Sequence, residues 1–221
     1  MKKCLINISF FIGFHLFFVL GQAQQNDFGL WTGVSLEKEL YKKIDLEITE
    51  QVRFDNNIGN FDRWINEAGL TYKPFKFYRI GFSYRLVYKE QGDISHRINL
   101  INQFKYKIND LSLSYRLNLQ RYFEANTPAD YTWRNKIAVE YEINKHLTPF
   151  VAAELFYNFN YRFNDFNEYR FSAGLKHNIK KRHRLDYVFI LNKQFNVEAP
   201  DTDLVLKLAY KFTFKNKKKD K

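Results

Sequence analysis

A hydrolase built on a β-strand needs its nucleophile and its base two residues apart, because only alternate side chains share a face. The chain has five histidines and no His-x-Ser; the nearest pair, Ser95-His96, is adjacent and so points to opposite faces. His96 then reads as a strand-end polar residue, and His146, His177 and His183 as residues of Lys-rich turns. Glu198, Asp201 and Asp203 could approach a divalent cation together, yet they sit in an acidic connection where solvated charge is the simpler reading. There is no Gly-rich phosphate loop and no dinucleotide fingerprint. Cys4, the single cysteine, precedes the apolar run near the amino terminus, which removes disulfide, thiol-nucleophile and thiolate-metal chemistry from the rest of the chain. These residues predict no catalytic site, no metal and no cofactor.

The chemistry that remains is ionic. Glu67, Arg85, Arg97, Arg116, Arg134, Glu140, Glu154 and Arg170 put both signs of charge in the middle of apolar-polar segments, and Arg53, Gln103 and Gln120 share their parity. Enclosed in a barrel, such groups would line the lumen and pair across it as a lattice that holds the wall. The sharper alternative is an Arg-lined conduit for small anionic solutes.

The segments that carry these residues alternate with a period of two. From 111 to 123 one parity reads Leu111, Leu113, Tyr115, Leu117, Leu119, Arg121, Phe123, and the other Ser112, Ser114, Arg116, Asn118, Gln120, Tyr122. Only a β-strand sorts them so. Strands are predicted at about 28–37, 44–54, 63–73, 77–89, 95–107, 111–123, 131–143, 149–162, 168–179, 184–195 and 203–214. The connections at 55–62, 90–95, 124–130, 163–168 and 196–203 carry Asp or Glu and no Lys or Arg, whereas the intervening turns are Lys-rich. In an up-and-down meander every second connection lies at the same end, so one rim is acidic and the other basic.

Residues 1–23 read as a secretory signal peptide: Lys2-Lys3, an apolar run from Leu5 to Leu20, then Gly21-Gln22-Ala23 as a small-x-small cleavage site. Its removal lowers the formal charge of +11 by two and leaves residues 24–214 as one domain, followed by a basic tail at 215–221. The remaining positive charge is spread over turns, interior and tail, which argues against a nucleic-acid partner.

One apolar face could enclose a soluble lipid-binding cup or meet a bilayer. Strands of ~12 residues, tilted, cross an apolar band ~25 Å tall, and charges of both signs at mid-strand suit an interior better than a surface. The other parity presents aliphatic residues, with Trp64, Tyr72, Tyr88, Tyr106, Trp133 and Tyr161 toward strand ends, as in interfacial girdles. The predicted fold is all-β: an antiparallel up-and-down transmembrane β-barrel of 10 to 12 strands in the cell outer membrane, not an enzyme. Its expected role is structural or that of a narrow pore, with a passive small-solute channel as the alternative. Expected partners are outer-membrane lipids, lipopolysaccharide and the barrel assembly machinery. Eleven segments would put the two chain ends at opposite rims, so the preferred wall has ten strands from Ile44 to Phe214, with 28–37 inside or at the seam.

Trp31 before a Lys-rich turn, the strand ending in Arg53, Asp62-Arg63-Trp64, His96-Arg97, Trp133-Arg134, Pro149-Phe150 with Glu154, and the closing Tyr210-Lys211-Phe212 resemble a family of Gram-negative outer-membrane barrels defined as a domain of unknown function. The resemblance covers nearly the whole chain after the leader. It implies location and architecture rather than activity.

Overall fold

Every predicted segment forms a strand in the computed structural model, which describes residues 26–124, 129–159 and 164–214. The strands are β1 (Asn26–Tyr41), β2 (Ile44–Asp55), β3 (Asn60–Phe75), β4 (Tyr78–Lys89), β5 (Ile94–Ile108), β6 (Leu111–Glu124), β7 (Asp130–Tyr141), β8 (Leu147–Phe159), β9 (Asn164–Lys180), β10 (His183–Gln194) and β11 (Thr202–Phe214). Tyr161, the signal peptide and the basic tail lie outside the described residues. Consecutive strands pair antiparallel around a closed barrel of eleven strands, within the range expected from the sequence.

The preferred ten-stranded wall does not form. The segment predicted at 28–37 is β1, a full member that pairs antiparallel with β2 and parallel with β11, from Asn26↔Thr202 to Lys38↔Phe214. An odd meander leaves its first and last strands running the same way, so closure must be parallel. Leaving β1 out would expose the ladder edges of β2 and β11 as unpaired rows of backbone donors and acceptors. The alternation of β1 also suits a wall strand: Val34 and Leu36 are exposed, while Gly29 is buried and Trp31, Ser35 and Glu37 are partly so.

Both ends of the seam are tied. At the acidic rim Asn56, Asn57 and Ile58 take left-handed backbone angles (φ 48°, 56° and 68°). This turns their amides toward β1: Asn56 N and Asn57 N donate to the Asp27 carboxylate at 3.0 and 2.9 Å, and Ile58 N to Phe28 O at 3.1 Å. Asn tolerates that backbone region; Ile, β-branched, does not without such anchoring. At the basic rim Lys211 Nζ on β11 meets Glu37 on β1 at 2.5 Å and Glu47 on β2 at 3.0 Å.

The pairs that vault an intervening strand tell which face is enclosed, since side chains converge only on the concave side. Lys211–Glu47 spans β1, Arg116–Glu154 spans β7, and Lys176–Glu140 spans β8. The opposite parity is aliphatic and aromatic and largely exposed, with Phe189 at 66%. Four polar pairs on it follow one rule. Tyr78 Oη donates to Asn102 at 2.6 Å, Tyr115 Oη to Asn135 at 2.7 Å and Trp64 Nε1 to Glu50 at 2.7 Å, while Tyr84 Oη meets His96 Nδ1 at 2.5 Å. Each partner lies one strand over and two residues off register, the diagonal that long aromatic side chains reach across a twisted sheet.

Candidate functional site

The enclosed face is where charged side chains gather. Glu154 on β8, only 4% exposed, draws three guanidinium groups from three strands: Arg134 at 2.9 Å, Arg116 at 3.6 Å and Arg170 at 4.0 Å. Arg170 also reaches Glu168 at 3.0 Å and Asn192 at 2.5 Å. A carboxylate shared in this way must hold three like charges near one another, so it fixes the positions of all three side chains.

A second group runs strand to strand from β3 to β6. Glu67 pairs with Arg85 and accepts from Ser83 Oγ at 2.6 Å; Asn99 Nδ2 donates to Ser83 Oγ at 2.8 Å, and Gln120 Nε2 to Asn99 Oδ1 at 2.6 Å. Arg97 then closes the chain, donating to Gln120 Oε1 at 3.3 Å and Tyr122 Oη at 2.7 Å. The third group centres on Glu140, which joins Lys105 at 2.9 Å to Lys176 at 2.5 Å. The sequence-predicted residues are therefore distributed over three clusters: Arg116, Arg134, Glu154 and Arg170 in one, Glu67, Arg85 and Arg97 in another, and Glu140 apart with two lysines.

Sequence reasoning placed Arg53, Arg134 and Arg170 on the enclosed parity and named Trp31 only in the family resemblance, and it did not show that aromatic rings cross the interior between these cations. Trp31 of β1 has the Arg53 guanidinium 3.7 Å from its ring centroid and that of Arg170 at 5.6 Å. Phe156 in turn lies between Arg170 at 4.9 Å and Arg134 at 4.5 Å. Cations and ring faces thus alternate from β2 to β7, an arrangement favoured by the ring quadrupole. Trp31 and Phe150 also cover Val188, Ile190 and Val205, a buried apolar cluster on β10 and β11. Gly174 makes this possible, because a Cβ there would stand 2.8 Å from the Phe150 ring. Trp31 shares the parity of Ser35 and Glu37, which was the available signal; a lone indole on a polar parity does not by itself say that it spans the barrel. Lys136 and Lys207 carried the same parity signal.

Ser95 is buried and His96 lies on the outer face beside Tyr84 and Phe123, so the two do not form a relay. Among the described residues no three His, Cys, Asp or Glu side chains converge as metal ligands do.

A family model described as a protein of unknown function, DUF2490, matches residues 28–203. The chain belongs to that family. The resemblance drawn from Trp31, Arg53 and Trp133-Arg134 is thereby borne out. Among solved structures the DUF2490 chain is similar to the NanC porin, with 13% identity over 74% of this chain and 84% of that one and a TM-score of 0.52. It also matches the KdgM porin, with 16% identity over 72% and 80% and a TM-score of 0.46. The first likeness is one of barrel fold. No curated protein sequence matches the DUF2490 chain.

Proposed function

We propose that this chain is a non-enzymatic integral barrel of the outer membrane whose interior is a narrow path favouring small anions. One observation carries the reading. The enclosed carboxylates Glu67, Glu140 and Glu154 are all paired, whereas among the described residues Arg53, Arg97, Lys136 and Lys207 of the same face have no carboxylate at ion-pair distance. Glu67, Arg85, Arg97, Arg116, Arg134, Glu140, Glu154 and Arg170 would line that path, and their surplus positive charge would raise the local concentration of anions. Membrane location is supported by strands of 12 to 17 residues, by the aliphatic outer parity and by a barrel fold shared with a protein that is a porin. Outer-membrane lipids and lipopolysaccharide would cover the outer face, and the aromatic strand ending in Tyr210, Phe212 and Phe214 would present the insertion signal to the assembly machinery.

Planar-bilayer recording of the purified barrel tests this. Discrete current steps with anion preference are expected, and Arg53→Glu with Arg97→Glu should lower or reverse that preference. A folded barrel that passes no current would overturn it. The contact of Trp31 with Arg170 across the interior favours a second reading, a closed structural barrel; it predicts current only after Trp31→Ala.

A further inference from the structure

Two pairs of arginines stand directly opposite one another on the enclosed face, Arg53 with Arg63 between β2 and β3 and Arg85 with Arg97 between β4 and β5. Like charges in register repel and weaken a sheet unless something answers them. Half of that charge is answered within the chain: Arg63 bonds Asp62 at 2.7 Å, and Arg85 bonds Glu67. The other half is not. Arg53 gives Nε and Nη2 to one acceptor, Gln51 Oε1, at 3.1 and 3.0 Å, which leaves Nη1 uncommitted beside the Trp31 ring. Arg97 is only 8% exposed; its Nη atoms go to the neutral Gln120 and Tyr122, and its Nε is buried without a partner. Lys207 of β11, opposite Trp31 in register, makes no ion pair among the described residues, and Asp186, whose charge reaches it, is held by Arg184 at 2.9 Å. These cations act on one another. The charges felt by Arg53 come from Arg85, Arg63, Arg97 and Arg170, and the charge that weighs most on Lys207 is that of Arg53.

We propose that Arg53, Arg97 and Lys207, with Arg85 beside Arg97, form a discrete binding site inside the barrel for a tetrahedral dianion, a phosphate or sulfate group. It rests on the reading of the lumen as an anion path and gives that path its preferred class of solute. A chloride or a single carboxylate would leave most of the unanswered charge in place, whereas a dianion offsets more of it. The oxygens of a tetrahedral group point apart, so they can accept from donors on β2, β5 and β11 at once, and guanidinium groups are well matched to such oxyanions. Asp62 and Glu67 need not be displaced, because they keep Arg63 and Arg85. A dianion held here also relieves the repulsion between the arginines in register, so binding stabilises the barrel.

Titration calorimetry on the purified barrel in detergent, with sulfate, inorganic phosphate and acetate at constant ionic strength, reads the site directly. Sulfate and phosphate should bind saturably and roughly tenfold or more tighter than acetate. Lys207→Gln, which removes a group outside every ion pair, should weaken sulfate by about tenfold, and Arg53→Gln should do the same, whereas Lys207→Arg should stay within about threefold. Lys107→Gln, at the basic rim, removes the same charge and should leave the affinity unchanged. Equal affinity for acetate and sulfate, equal losses in Lys107→Gln and Lys207→Gln, or no saturable binding would overturn the proposal. Chloride current in planar bilayers separates this from the conduit beneath it. Sulfate binding without any current keeps the site and removes the conduit, and anion-selective current without sulfate binding does the reverse.

Discussion

Between β3 and β6 the enclosed wall is held by a hydrogen-bonded chain through Glu67, Ser83, Asn99, Gln120 and Arg97, whereas between β8 and β11 it is held by Val188, Ile190, Val205 and the rings laid over them. The first sector is directional: each group satisfies its neighbour, and removing one strands another. The second is not, and tolerates exchange of shape better than loss of volume. The arginines around Glu154 stand where the two sectors meet, on β6 to β9. A solute path would therefore have one wetted wall and one greasy wall, with the cation-aromatic stack joining them.

The junction should be the most sensitive point. Glu154→Leu leaves Arg116, Arg134 and Arg170 close together without their shared anion, and removing one member of a buried ionic cluster typically costs about 3–5 kcal/mol. Urea unfolding of the barrel in vesicles measures it. A shift no larger than that of an exposed pair such as Lys107–Glu142 would mean that the cluster is hydrated and that the two sectors are not locked together.

Next in size are paired variants, one in each sector. Ile190→Ala opens a void under Trp31 and Phe150, with an expected loss of about 2–4 kcal/mol. Asn99→Leu deprives Ser83 of a donor and Gln120 of an acceptor, for a loss of about 1–3 kcal/mol. The midpoints should move in the same direction, but only Asn99→Leu should also change the current through the barrel, since it alone would alter the polar wall. Equal electrical effects of both variants would erase the distinction between the walls.

Much of this fold was legible because a two-residue period is a strong constraint: in β6, Ser112, Arg116 and Asn118 had to share a face, and they do. The acidic and basic connections gave the two rims for the same reason. The seam was hidden. Parallel closure depends on the parity of the strand count, and nothing local in 28–37 says whether a segment pairs on both edges or lies inside. The charged residues were legible as a set but their pairing was not, because register decides which Arg meets which Glu: Glu154 lies opposite Lys136 in the ladder yet bonds Arg134, and Glu140 turned out to serve two lysines. Glu50 could have been noticed as a carboxyl on the apolar parity of 44–54, the single break in an otherwise regular alternation.

The finest distinction rests on two serines on the enclosed face. Ser83 of β4 is buried within the polar chain, donating to Glu67 and accepting from Asn99, whereas Ser172 of β9 is buried between Ala152 and Ile190 in register. Deleting a hydroxyl that both gives and receives a hydrogen bond leaves an amide and a carboxylate each short of a partner, for a loss of about 1 kcal/mol. Deleting one set among aliphatic neighbours leaves little unsatisfied and removes a polar group from an apolar lining, so Ser172→Ala should be neutral within about 0.5 kcal/mol or slightly stabilising. The same unfolding measurement, run on both single variants and on the double, decides it. The serines lie on opposite sectors with no shared partner, so their effects should add. A double variant that departs from additivity by more than about 0.5 kcal/mol would show that the polar and apolar walls are mechanically one, and that the division between them is of chemistry alone.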